Sequence, residues 1–281
     1  MVTHEDDVRR APVRGVLVAR NALFNLAGLG VPLVVAFLAL PVLIRGLGTA
    51  GFGVLAIVWM LLTYLSELGF GPTTTRYAAE ALGAGRHTDV AGIVWTTAWL
   101  QAAIGGVIGV ALAALTPLLV ESVLNIPSSL VGEARACFFL LAASIPLVGL
   151  GKSFRGLVEA AQRFDLALAV NLPITAGTYL LAAVGAALGW SLVAVFVVIV
   201  VSKLAMLPGY FLAARRALPD VSLRPVLRRE GRRELTTFAS WVAVSTVVSP
   251  LLVYLDRFMV GVLLSMTAVA FYAAPYEVVA R

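Results

Sequence analysis

The chain has 281 residues, 60% of them hydrophobic and 13% charged, and its mean hydropathy is +0.97. A water-soluble domain carries about 25% charged residues, so this chain cannot solvate its own surface, and lipid is the solvent its composition fits. The formal net charge of +6 does not point to nucleic acid, because the arginines lie between apolar runs rather than on a compact basic domain. Cys137 is the sole cysteine and His4 and His87 are the only histidines, which excludes an internal disulfide and argues against a metal centre.

Residues 1–20 read as a polar tail. The apolar run that follows, 21–44, is too long for the core of a cleaved signal and reads as a retained first span. Further runs at 52–67, 91–120, 134–151, 166–188 and 191–213 have the length, about 20 residues, that a hydrocarbon layer of roughly 30 Å demands of a helix. Barrel strands would be half as long and alternating. The predicted fold class is therefore all-α, a polytopic membrane helix bundle, with a six-helix lobe over 21–213. A basic linker covers 214–235, and the start of a second lobe covers 236–281, with a seventh span at 236–264 and an eighth opening near Ala268.

That eighth span reaches only about fourteen residues before the chain stops, fewer than a bilayer crossing needs, so the second lobe reads as incomplete. A single offset pairs Pro32 with Pro250, Val35 with Val253, Val42 with Val260, Thr49 with Thr267, Ala50 with Ala268 and Ala56 with Ala274. The pattern suggests a duplicated hairpin.

Lys and Arg alternate in sidedness across this arrangement. One set of connections carries Arg9, Arg10, Arg14 and Arg20, then Arg76 and Arg86, then Lys152, Arg155 and Arg163, and finally the arginines from Arg215 to Arg233; the opposite set carries only Arg45 and Arg135. The positive-inside rule then puts the N-terminus in the cytoplasm of a multi-pass inner-membrane protein. The linker's cations read first as topogenic charge facing anionic lipid.

Prolines recur within or at the edges of most spans: Pro32, Pro41, Pro117, Pro146, Pro173 and Pro208, with Pro250 and Pro275 later. Each interior proline removes a backbone hydrogen bond and bends the helix, which suits a moving bundle and is also common in membrane helices at large. Gly105 with Gly109, and Gly185 with Gly189, have the spacing that lets helices approach closely.

Lys203 falls near the middle of its span, on the order of 15 Å from either interface at 1.5 Å per residue. An ammonium at that depth costs about 2.5–3.5 kcal/mol on insertion scales, so a hydrated cavity or a carboxylate is its expected neighbour. Asp256 and Arg257 are adjacent and point about 100° apart on a helix, so one should face the bundle interior unless the span ends at Leu255. Arg45 and Glu67 sit at span ends, where snorkelling is the plainer reading. Arg155, Glu159 and Arg163 have the spacing of exposed helix pairs, which favours a solvated face over a phosphate site. The stretch Gly149-Leu150-Gly151-Lys152-Ser153 lacks the spacing and the preceding strand of a phosphate loop. No catalytic constellation, cofactor site or metal site is predicted.

The segment from Arg20 through Pro41 and Arg45-Gly46-Leu47-Gly48 to Phe52-Gly53 resembles the opening hairpin of the polysaccharide-unit flippases. Tyr64 to Gly71, Thr75-Arg76, Phe154-Arg155-Gly156-Leu157 to Phe164, and Leu255 to Phe258 through Gly261 to Tyr272 share that resemblance. Such proteins belong to the multidrug, oligosaccharidyl-lipid and polysaccharide exporter superfamily. The resemblance implies two lobes that rock about a central cavity and carry an undecaprenyl-diphosphate-linked oligosaccharide outward, together with polysaccharide polymerase or other assembly proteins and membrane lipid as partners. It supplies no shared catalytic-type residue. Depth and charge nominate Lys203, Arg257 and Arg45 as substrate-binding cations, with Asp256 and Glu67 as possible ion-coupling groups. The rival readings are a drug or cation antiporter of the same superfamily, a non-transporting scaffold of a polysaccharide-assembly complex, and a membrane-embedded sugar transferase.

Overall fold

The computed structural model describes the backbone of residues 5–66, 70–225 and 259–279, with side chains at 28, 30–66, 71–225 and 259–273. Among these residues the chain is helical with no strand. Five helical stretches are long and apolar enough to cross a membrane: Gly30–Leu65, His87–Val123, Ser128–Ala160, Phe164–Ala187 and Leu192–Ala217. The protein is a multi-pass membrane bundle, as its apolar runs predict.

Helix α1 (Glu5–Leu65) begins inside the segment that reads as a polar tail and is broken at Gly48, where φ is 72° and ψ is 163°. That backbone region is essentially restricted to glycine. The break folds α1 into two arms, since Gly28 and Pro32 of the first arm and Trp59 and Thr63 of the second border one common cavity. One continuous helix in the secondary structure thus accounts for the two spans expected at 21–44 and 52–67.

Helix α2 (Phe70–Gly83) was not expected. Its residues lie in what reads as a connection, because its buried face is built from Thr73, Thr74, Ala78 and Ala81 rather than large apolar residues. The Thr74 hydroxyl meets that of Thr97 on α3 (His87–Leu118) at 2.8 Å. Gly156 of α4 (Val131–Ala160) lies so close to Gly71 that a Cβ there would meet the Gly71 carbonyl oxygen.

Helices α3 and α4 form an antiparallel hairpin, joined through a π turn at Leu119–Val123 and a short 3-10 turn at Ser128–Leu130. A Cβ at Gly105 would lie 3.0 Å from Pro146 Cα, and one at Gly109 would collide with the Ala142 carbonyl oxygen. The small-residue reading of this pair holds: two backbones touch where a side chain would keep them apart. At the far end of the hairpin Arg135 pairs with Glu121.

The second glycine pair has a different role. Gly185 of α5 (Phe164–Ala187) is covered by the indole of Trp190, in the turn that follows, rather than by another helix. Gly189 takes φ 79° in that same turn. Helix α6 (Leu192–Ala217) then starts with Ser191 as its cap, the hydroxyl accepting from the Ala194 amide at 3.3 Å. Such a cap satisfies one of the amides that a helix start leaves orphaned.

Helix α4 continues past the expected boundary at Gly151 to Ala160, carrying Lys152 and Arg155 on its last turns. Arg155 donates to Glu159 at 2.8 Å, as its spacing predicts, but Arg163 turns away and pairs with Asp165 at 2.9 Å. The helix ends at Ala160, so Arg163 is no longer one turn above Glu159. An aromatic cluster of Trp95, Phe154 and Phe211, with edge-on ring contacts at 5.4 and 5.3 Å, ties α3, α4 and α6 together at the Lys/Arg-rich end. The Trp95 indole donates to the Leu223 carbonyl at 3.1 Å and binds the segment after α6 to the bundle.

Most of the expected seventh span lies outside the described residues, as do Pro250, Asp256 and Arg257. Residues 259–263 are helical, and after a turn α7 (Met266–Val279) packs on the second arm of α1. A Cβ at Gly53 would run into the Met266 carbonyl oxygen. Asn125 reaches across from the end of the α3 turn and donates to the Val262 carbonyl at 2.7 Å.

The glycine contacts give a direct stability test. Gly109→Val is expected to lower thermal stability in detergent by about 1–3 kcal/mol through overpacking against α4. Gly106→Val, where a Cβ meets nothing within 4 Å, is expected to unfold at the wild-type temperature. Equal melting temperatures for the two variants would contradict the packing described.

Candidate functional site

Four helices leave a cavity of about 320 Å³ in the half of the bundle nearest its Lys/Arg-rich end. Each helix contributes residues about one turn apart, the spacing at which side chains share one face. The second arm of α1 supplies Trp59 and Thr63, with Ser66 in the turn just past its end. From α4 come Val148, Lys152 and Arg155. Helix α5 adds Asn171, Thr175 and Thr178 with Tyr179, and α6 adds Lys203, Met206 and Tyr210.

The cations lie on α4 and α6. Lys203 borders the cavity, as its depth predicts, and Lys152 and Arg155 border the same space. Arg155 simultaneously holds Glu159, whose carboxylate also lies 3.5 Å from the Thr75 hydroxyl of α2. Among the described residues no carboxylate lines the cavity. Tyr210 is 2% exposed, and its phenol oxygen is buried without a hydrogen-bond partner. A buried hydroxyl left without a partner is costly, on the order of 1–3 kcal/mol.

The wall formed by α5 and α1 is neutral. Thr63 donates its hydroxyl proton to the Trp59 carbonyl at 3.0 Å, Ser66 to Leu62 at 2.6 Å, and Thr178 to Ile174 at 2.6 Å. Thr175 donates to the Asn171 side-chain oxygen at 3.3 Å. Trp59 and Tyr179 stack with ring centroids 4.8 Å apart, tilted by 34°.

Of the nominated residues that the structure describes, Lys203 and Arg45, it brings Lys203 to this cavity. Arg45 is exposed, three residues before the Gly48 break and at the opposite end of the bundle. Glu67, Asp256 and Arg257 lie outside the described residues. Lys152 and Arg155 correct the sequence reading, which assigned that stretch to a solvated connection: α4 carries them along the cavity instead. The polar stripe of Asn171, Thr175 and Thr178 was also missed, although its spacing in an otherwise apolar span is legible in the sequence.

The described residues thus form a helical membrane bundle with three cationic side chains bordering one cavity between its spans. The chain belongs to the family described as "Polysaccharide biosynthesis protein", which it matches over residues 18–280. It is 26% identical over 266 residues to a protein of Shigella flexneri named "Putative O-antigen transporter", an alignment covering 94% of this chain and 62% of that relative. The chain thus spans less than two thirds of the length of the curated relative it matches. No solved structure matches the chain. Taken together, the family match and the fold make this a multi-pass membrane protein of the polysaccharide biosynthesis family.

Cysteine labelling can test whether the cavity holds water. In a Cys137→Ser background, Thr175→Cys is expected to react with a water-soluble maleimide, because the thiolate forms only where water or charge supports it. Val184→Cys, on the same helix where Val184 is 53% exposed on the bundle's outer surface, should stay unlabelled in lipid. Labelling of the second but not the first would remove the hydrated cavity.

Proposed function

We propose that the chain forms the substrate-holding lobe of a flippase that moves an undecaprenyl-diphosphate-linked oligosaccharide from the cytoplasmic to the outer leaflet of the inner membrane for surface polysaccharide assembly. The observation that carries this reading is the gathering of Lys203, Lys152 and Arg155 at one cavity with no carboxylate among its described lining residues. A diphosphate headgroup needs cations at depth, while its polyprenyl tail can remain in lipid. Burying an anion against paired cations offsets desolvation that neither group could bear alone.

On this reading the N-terminus is cytoplasmic, the Lys/Arg-rich end faces the cytoplasm, and the cavity lies on the side from which substrate is loaded. Translocation makes or breaks no covalent bond. Arg45 and Arg257 are proposed as further contact points along the path, and Asp256 and Glu67 as groups that could couple an ion to movement. A polysaccharide polymerase or another assembly protein would take up the delivered unit. A cation antiporter would place carboxylates in its cavity, and the described lining favours an anionic substrate instead.

The test is a chromosomal Lys203→Ala allele scored for surface polysaccharide, beside Lys203→Arg. Removing one partner of a desolvated charge contact costs about 2–5 kcal/mol, so Lys203→Ala should abolish most export at unchanged membrane levels, with partial recovery in Lys203→Arg. Normal export by Lys203→Ala would favour a scaffold. Consumption of an activated sugar by the purified protein would make it a transferase.

A further inference from the structure

Apart from the central cavity, the described residues border an open groove of about 580 Å³ at the Lys/Arg-rich end of the bundle. One side of it is the end of α6, with Phe211 and Arg215. The other is the strap of residues 218–225 that follows, with Pro219, Ser222, Arg224 and Pro225. The strap is neither helix nor strand, yet it is fixed to the bundle. Val221 and Leu223 are buried in the cluster that holds Val90, Val94, Phe154 and Ala214, and the Leu223 carbonyl accepts from the Trp95 indole at 3.1 Å. Arg224 thus stands one residue from an anchored position, and Arg215 stands on the last turn of a helix.

Both arginines are exposed, and among the described residues neither is held in an ion pair. No carboxylate borders the groove, since Asp220 lies outside its lining. Two guanidinium forks from different elements, with the Ser222 hydroxyl on the same lining, suit the oxygens of a phosphate ester.

The surroundings say which phosphate ester. Helix α3 has 32 residues, about 48 Å at 1.5 Å per residue, more than a hydrocarbon layer of roughly 30 Å requires. Trp95, about two turns from its start, falls near the edge of that layer, where Trp rings concentrate. One turn deeper Trp99 is 52% exposed, its ring 6.4 Å from that of Trp95. On α6, Leu212 is 54% exposed one turn below Arg215. Cations therefore stand directly above outward-facing apolar surface. A free phosphate would use the arginines alone, whereas a lipid uses both levels, and basic pockets at this depth take anionic headgroups.

We propose that this groove is a discrete site for one anionic glycerophospholipid, with Arg215 and Arg224 on the phosphodiester oxygens and the acyl chains lying past Leu212 and Trp99. The bound lipid bridges α6 and the strap. The site is separate from the central cavity and independent of what that cavity carries.

The test counts lipids retained by the detergent-purified chain in native mass spectrometry, titrating phosphatidylglycerol, phosphatidylethanolamine of matched acyl chains, and sn-glycerol 3-phosphate. One phosphatidylglycerol should bind more tightly than either other probe. Arg215→Gln and Arg224→Gln should each weaken it by about fivefold, the scale for one basic residue at a membrane surface. Arg216→Gln removes the same charge from an exposed residue of the same helical turn that does not border the groove, and it should leave binding unchanged. Equal losses in all three variants would reduce the site to diffuse surface charge and overturn the proposal. Equal affinity for phosphatidylethanolamine would do the same. Binding of sn-glycerol 3-phosphate as tight as that of the lipid would make the groove a site for free phosphate esters. Lipid binding that appears only after Glu230→Gln and Glu234→Gln are combined would assign the groove to the chain's own following segment.

Discussion

The constraint on which the rest of the structure depends is the intolerance of hydrocarbon for unpaired charge and unpaired backbone. A cation at mid-membrane depth, where its position in the span puts Lys203, costs about 2.5–3.5 kcal/mol on insertion scales, and Lys152 and Arg155 border the same space between α1, α4, α5 and α6. Gathering them lets one polar volume serve all three. The helices must then bend and part on one side while staying tightly packed on the other. Close backbone contacts at Gly105, Gly109 and Gly156 supply that packing on the side of α2, α3 and α4.

The Gly48 break has the same logic. A largely apolar helical stretch of 36 residues exceeds a single crossing, and one glycine in a conformation that other residues avoid turns it into two arms without a loop to solvate. Both arms then reach the cavity, the first through Gly28 and Pro32 and the second through its polar stripe. The offset that pairs Pro32 with Pro250 sets Gly48 opposite Met266, and a turn between two helical stretches stands there, at Leu264 and Ser265. Met266 in turn meets Gly53, so the bend in α1 and the turn before α7 lie close together.

Long apolar runs made the membrane spans legible, because length and hydropathy are imposed by lipid whatever the helices pack against. Helix α2 escaped for the opposite reason: its burial depends on small and hydroxylated residues, Thr73, Thr74 and Ala78, whose value appears only when α3 and α4 are in place. Lys203 could be read from depth alone. Lys152 and Arg155 could not, since charges that follow an apolar run look interfacial until α4 is seen to continue to Ala160. The Gly185 and Gly189 pair misled because spacing does not reveal which partner fills the space, and here an indole from the following turn does.

Charge alone makes such a cavity attractive to any anion, and water weakens that attraction. Two unit charges 4 Å apart interact by about 1 kcal/mol in bulk water and about 4 kcal/mol at an effective dielectric constant of 20. Water admitted to such a cavity would therefore limit how strongly its cations can hold a ligand. Glu159 reduces the field further by engaging Arg155 at 2.8 Å. Discrimination must then come from groups whose hydrogen-bonding sense is fixed, because a polar group left without its partner is penalised even when the net charge is right. In this cavity the threonines Thr63, Thr175 and Thr178 are such groups. The threonines hold their orientation because their protons are already bonded within their own helices.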